Sequence, residues 1–141
     1  MLIRLSRVDF GAEFEQVEID EARQVGVPEH VCKHLGTLDD LLAQPGETPA
    51  KHAALFKVSF PEAATVGDPW HGRYTSWLLY VKATVVGDEP ADILNYSLEN
   101  PDFPNESTLD QFFDEPQWES YRKLGECIGA KFFSEYEQPN A

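Results

Sequence analysis

Hydrophobic and polar positions alternate most regularly across Lys51–Phe60 and Tyr74–Val86. In the first segment Ala54, Phe56, Val58 and Phe60 fall on one face, and Ala53, Leu55, Lys57 and Ser59 on the other. In the second, Trp77, Leu79, Val81, Ala83 and Val85 share a face opposite Leu78, Tyr80, Lys82 and Thr84. A period of two is what a pleated strand produces. The connection Pro61–Arg73 contains Pro61, Gly67, Pro69 and Gly72 and is too long for a tight turn. The pair therefore predicts an antiparallel hairpin with a wide loop. Met1–Ile19 alternates more crudely and predicts one or two short strands, after which Gly26 and Pro28 break any regular element.

The remaining pattern is helical. Thr37-Leu38-Asp39-Asp40 predicts a helix start, with the Thr37 hydroxyl as cap, early acids at the positive end, and Leu38, Leu41 and Leu42 inward. Gln44-Pro45-Gly46 stops it after about two turns. Gly87-Asp88-Glu89-Pro90 ends the second strand and opens a helix over Ala91–Glu99, with Ile93, Leu94 and Leu98 inward. A proline-restricted loop, Asn100–Asn105, follows. Ser107 is expected to cap a helix over Thr108–Phe113, with Asp110 in the reciprocal position. Asp114-Glu115-Pro116-Gln117 caps a longer helix on which Tyr121, Leu124, Ile128 and Phe132 recur at helical spacing. Cys127 and Phe133 fall off that stripe, and Gly125-x-x-x-Gly129 predicts the close approach of another element. The expected fold is α+β: a small antiparallel sheet with a long-loop hairpin, packed by C-terminal helices. Residues 1–50 form an irregular part, 51–86 the hairpin and 87–137 the helical part of one domain spanning 1–141.

Charge narrows the function classes. The chain carries 25 acids against 11 Lys and Arg, a net charge of −14. Such a surface repels phosphate backbones and anionic headgroups, which excludes nucleic acid as a partner and disfavours docking on an acidic membrane. Between Lys82 and Arg122 stand ten acids and no lysine or arginine. Helix capping accounts for part of that run, and solubility for more. The start of the chain lacks the apolar core of a signal peptide, and no run is long enough to span a bilayer. Two distant cysteines, Cys32 and Cys127, read as free thiols, so a cytoplasmic location is expected.

Candidate chemistry is sparse. Neither a Gly-x-Gly pair, a G-x-S-x-G elbow nor an H-E-x-x-H motif occurs. His30-Val31-Cys32-Lys33-His34 places three potential ligands two apart, but no fourth is marked and Lys33 opposes a cation. A polar connecting segment with a half-buried Cys32 is the expectation. His52 and His71 flank the hairpin and can approach each other, yet Ser59, Thr75 and Ser76 carry no motif that would make one of them a nucleophile. Asp88, Glu89 and Asp92 suit a hard cation by type, but the calcium-loop pattern is missing and helix capping explains them better. No catalytic residue, metal or cofactor is therefore expected. An interaction surface is expected from Asp88, Glu89, Asp92, Asp110, Asp114, Glu115 and Phe133. Trp70, Trp77, Trp118 and the pairs Phe112-Phe113 and Phe132-Phe133 belong either to the core or to an apolar patch facing a partner domain.

One stretch carries a family resemblance. It runs Trp77-Leu78-Leu79-Tyr80-Val81-Lys82-Ala83-Thr84, Gly87-Asp88-Glu89-Pro90-Ala91-Asp92, Asn100-Pro101-Asp102-Phe103-Pro104 and Glu106-Ser107-Thr108. It continues through Asp110-Gln111-Phe112-Phe113 to Trp118-Glu119-Ser120-Tyr121-Arg122-Lys123-Leu124-Gly125. This resembles the C-terminal region of large bacterial patatin-like phospholipase proteins, over about a third of the chain. Patatin-like enzymes cleave lipid acyl esters with a serine–aspartate dyad and a glycine-rich oxyanion hole, and none of those motifs is present here. The resemblance implies an accessory or regulatory module that acts with a catalytic patatin-like domain. The alternative reading is a free-standing acidic domain, inhibitor- or immunity-like, that binds a basic protein.

Overall fold

The computed structural model describes residues 12–42, 48–60, 74–106 and 112–133. Within them the elements run β1 (Glu13–Gln16), α1 (Ile19–Gln24), α2 (Glu29–Cys32), α3 (Leu38–Leu41), β2 (Ala53–Phe60), β3 (Tyr74–Val81), α4 (Ala91–Glu99) and α5 (Glu115–Phe133). The strands form an antiparallel sheet in the order β1-β2-β3. The fold is α+β, as the alternation of strand and helix periods predicts. The loop of the predicted hairpin lies outside the described residues.

The register explains why β2 is apolar on both faces over residues 53–56. Leu55 pairs with Leu79, and Phe56 with Leu78. The face with Ala53, Leu55 and Leu79 packs against Ile93 of α4 and Leu124, Ile128 and Phe132 of α5. The opposite face, Ala54 and Phe56 with Phe14 and Leu78, is closed by Leu41 of α3. The central strand is thus buried on both sides, and each large side chain withdrawn there contributes about 1.5–3 kcal/mol.

Helix ends follow their residues. Thr37 and Asp40 form a reciprocal capping box at α3: the Asp40 amide donates to the Thr37 hydroxyl at 3.2 Å, and the Thr37 amide to the Asp40 carboxylate at 2.7 Å. Asp114 caps α5 by accepting from the Gln117 amide at 2.8 Å. The predicted stripe of α5 holds, with Leu124, Ile128 and Phe132 buried and Tyr121 packed beside them. In the loop after α4, Phe103 is buried edge-on between Tyr96 and Tyr121, at centroid distances of 5.1 and 4.9 Å. Burial, then a hydrogen bond to Glu106, push the Tyr121 phenol up to about 12.

Several expectations are corrected. The second strand ends at Val81, not Val86, because the chain leaves the ladder after the Lys82 amide bonds the His52 carbonyl at 2.9 Å. Thr84, assigned to a polar strand face, is instead fully buried beside His52. Trp77 and Val81 are exposed, although Leu79 between them on the same face packs against the core. Helix α3 is one turn long, with Leu38 and Leu42 outward. Leu98 points to solvent on α4, and Tyr96 takes the inward place instead. Phe112 and Phe113 are not helical; Ser107 through Gln111 lie outside the described residues. Among the described residues a side chain at Gly125 or Gly129 would meet no neighbour, so none of the described elements approaches there. Cys32 is fully buried rather than half-buried. Among the described residues no helix is long and apolar enough to cross a membrane.

Candidate functional site

The densest polar chemistry gathers around His52, at the entry to β2. Its ring is almost fully withdrawn from solvent, with the residue 1% exposed. Nδ1 lies 2.8 Å from the Thr84 hydroxyl oxygen, and that hydroxyl donates its own proton to the Lys51 carbonyl at 3.0 Å. A hydroxyl has one proton, so Thr84 accepts from His52 and Nδ1 carries the ring hydrogen. The lone pair is therefore on Nε2. There it accepts from the Lys131 ammonium group of α5 at 2.7 Å. Lys131 also donates to Asp88 at 2.5 Å.

Glu89 completes the group from the other side. Its side chain is fully buried, and its two oxygens accept from the backbone amides of Val86 at 3.0 Å and Gly87 at 2.9 Å. Gly87 has φ +99°, a conformation that a side chain would strain, and this turns its amide toward the carboxylate. His52 Nε2 stands 4.0 Å from both Asp88 Oδ1 and Glu89 Oε1. His34 lies alongside, with its ring centroid 6.0 Å from that of His52 and 5.8 Å from Phe132.

Burial, reinforced by the Lys131 charge, depresses the basicity of His52, and the same two causes act on His34. The hydrogen bond from Lys131 holds Asp88 below the ordinary carboxylate range. Cys127, one turn before Lys131 on α5, is pushed up by burial. Thr84 and His52 are not arranged as nucleophile and base. The hydroxyl proton goes to a backbone carbonyl rather than to the imidazole, and the residue is sealed from solvent.

The sequence-predicted residues separate into two sets. Asp88 and Glu89 join the His52 cluster, whereas Asp92 pairs with Lys123 on α5. The capping expectation holds only for Asp92, in the first turn of α4, which accepts from the Ile93 amide at 3.0 Å; Pro90 holds the cap position without a side-chain bond, and Glu89 bonds amides upstream of the helix. Asp114 caps α5, and Glu115 and Phe133 are exposed at its two ends. Asp110 and His71 lie outside the described residues. In the segment His30–His34, His30 Nε2 approaches the Phe132 carbonyl at 3.4 Å, and the Cys32 thiol points at the Val27 carbonyl at 3.5 Å. The three do not converge on a common point.

Thr84 and Lys131 escape sequence reasoning. A trace of Lys131 exists in the spacing of Lys123, Cys127 and Lys131, which fall on one face of α5, against the acids Asp92 and Asp88. No family model, curated protein or solved structure matches the chain.

Proposed function

We propose that the chain is an accessory, non-catalytic protein-binding module, similar to the C-terminal region of patatin-like lipid acyl hydrolases, that docks on a catalytic domain or regulates access to it. The observation that supports this reading is the outward placement of aromatic side chains on α5 and at its start. Trp118 is 62% exposed, Phe113 46% and Phe133 55%. Around them the helix turns charged residues outward, in the Arg122 pairs with Glu119 and Glu126. Large aromatics displayed on an otherwise charged helix are the side chains that anchor protein interfaces. The His52 cluster fits the same reading, since its hydroxyl and imidazole are occupied with each other, with the backbone and with Lys131.

The acidic surface supports a basic partner less well. Asp88, Asp92 and Glu119 are paired with cations of α5, and Glu89 with backbone amides. The test is calorimetric titration of the full chain against a patatin-like catalytic domain. Binding should be insensitive to salt and should weaken by about 2 kcal/mol in Trp118→Ala. Absence of binding counts against the proposal. So does hydrolysis of acyl esters by the purified chain that a single internal substitution abolishes. Salt-sensitive binding of a basic protein, unaffected by Trp118→Ala, would favour the acidic binding domain instead.

A further inference from the structure

We propose that His52, Asp88 and Glu89 form a binding site for a first-row divalent cation of the zinc class, and that the Lys131 ammonium group is the built-in cation a metal must displace. This inference is independent of the docking proposal. It stands on the donor set, its geometry and its surroundings.

One imidazole nitrogen and two carboxylates are the donor types that zinc takes in mixed nitrogen–oxygen sites. Their nearest ligand atoms all lie within 4.8 Å of one another. Two of the three donors already hold a cation, the ammonium group. Lys131 Nζ stands 2.7 Å from His52 Nε2 and 2.5 Å from Asp88 Oδ1. A zinc ion holds its donors at about 2.0–2.2 Å, so exchange of ammonium for metal asks His52 and Asp88 to move inward by only about 0.5 Å, while Glu89 Oε1, 4.0 Å from His52 Nε2, has further to close.

The ligands are also oriented in advance. The Nδ1 hydrogen of His52 goes to Thr84, and Thr84 is fixed on the Lys51 carbonyl, so the ring's lone pair must be on Nε2, where Lys131 now donates. Metal-bound histidines are held by this kind of outer partner. Both Glu89 oxygens each accept one backbone amide, which fixes the carboxylate and leaves further lone pairs for a cation. Asp88 sits at the mouth, its side chain 54% exposed, and supplies a donor that can adjust. Charge agrees with the geometry. A neutral imidazole and two carboxylates sum to −2, which one divalent ion cancels and one ammonium only halves. Lys131 is long, flexible and 15% exposed at its side chain, so it has a route out to water when the metal enters.

The test uses the full chain, stripped with chelator and titrated with zinc chloride by calorimetry, with cobalt(II) as an optical probe of the same site. Wild type should bind one equivalent. Lys131→Met should bind that equivalent about tenfold more tightly or better, because the competing positive charge is gone. Asp88→Asn, at the exposed mouth, should weaken it about tenfold or more while the circular dichroism spectrum stays unchanged. His52→Gln should remove the cobalt absorption from imidazole ligation. The proposal is overturned if wild type shows no zinc isotherm, or if Lys131→Met binds no more tightly. It is also overturned if the equivalent survives Asp88→Asn and His52→Gln, which would place zinc on other histidines. Magnesium binding as tight as zinc would sink the assignment to the zinc class.

Discussion

At the residue scale, Thr84 does more than its size suggests. Its hydroxyl satisfies a buried ring hydrogen and a buried carbonyl together. Thr84→Val keeps the shape but strands both partners, so stability should fall by about 1–3 kcal/mol. Thr84→Ser should recover most of that loss. Urea denaturation of the two variants checks the ordering, and equal stability of Val and wild type would show that the bonds contribute nothing. None of this was legible in the sequence. A threonine next to a strand looks like an outward-facing polar residue, and only the departure of the chain after Val81 turns it inward.

At the element scale, local chemistry was readable and long-range placement was not. Thr37 and Asp40 announce the capping box of α3, and the helix forms there. Thr37→Ala should cost about 1 kcal/mol, seen as a lower denaturation midpoint with an unchanged slope. The stripe on α5 was equally legible, because Tyr121, Leu124, Ile128 and Phe132 meet the helical period within one segment. Leu98 misled for the opposite reason. The α4 pattern offers more apolar positions than its narrow contact with α5 and the Phe103 loop can cover. The same limit hid the His52 cluster, whose members come from the entry to β2, the segment after β3 and the last turn of α5. No window of sequence contains them together.

At the scale of the whole molecule, acidity and buried histidines set how stability responds to pH. His34 and His52 are held below the ordinary imidazole value of 6.5, chiefly by burial and then by the Lys131 charge. The unfolded chain therefore takes up protons first. Their contribution is intact above 6.5 and is lost as pH falls through the depressed folded values. Asp40 and Asp88 are likewise depressed, from an ordinary 3.8, by the Thr37 bonds and by Lys131 respectively. Their stabilisation persists above 3.8 and disappears at more acidic pH. Thermal midpoints recorded in chelator should thus decline in two stages on acidification. A midpoint that stays flat from about pH 8 to pH 5 would contradict the first stage.

The final turn of α5 has a practical consequence. Lys131 and Phe132 are neighbours in sequence, one supplying the positive charge for His52 and Asp88, the other filling the space beneath β2. A cut just ahead of them would remove plug and counter-ion in a single stroke. Truncation ahead of Lys131 should therefore lower the denaturation midpoint far more than the loss of so few residues would suggest, because the core and the polar cluster would open together.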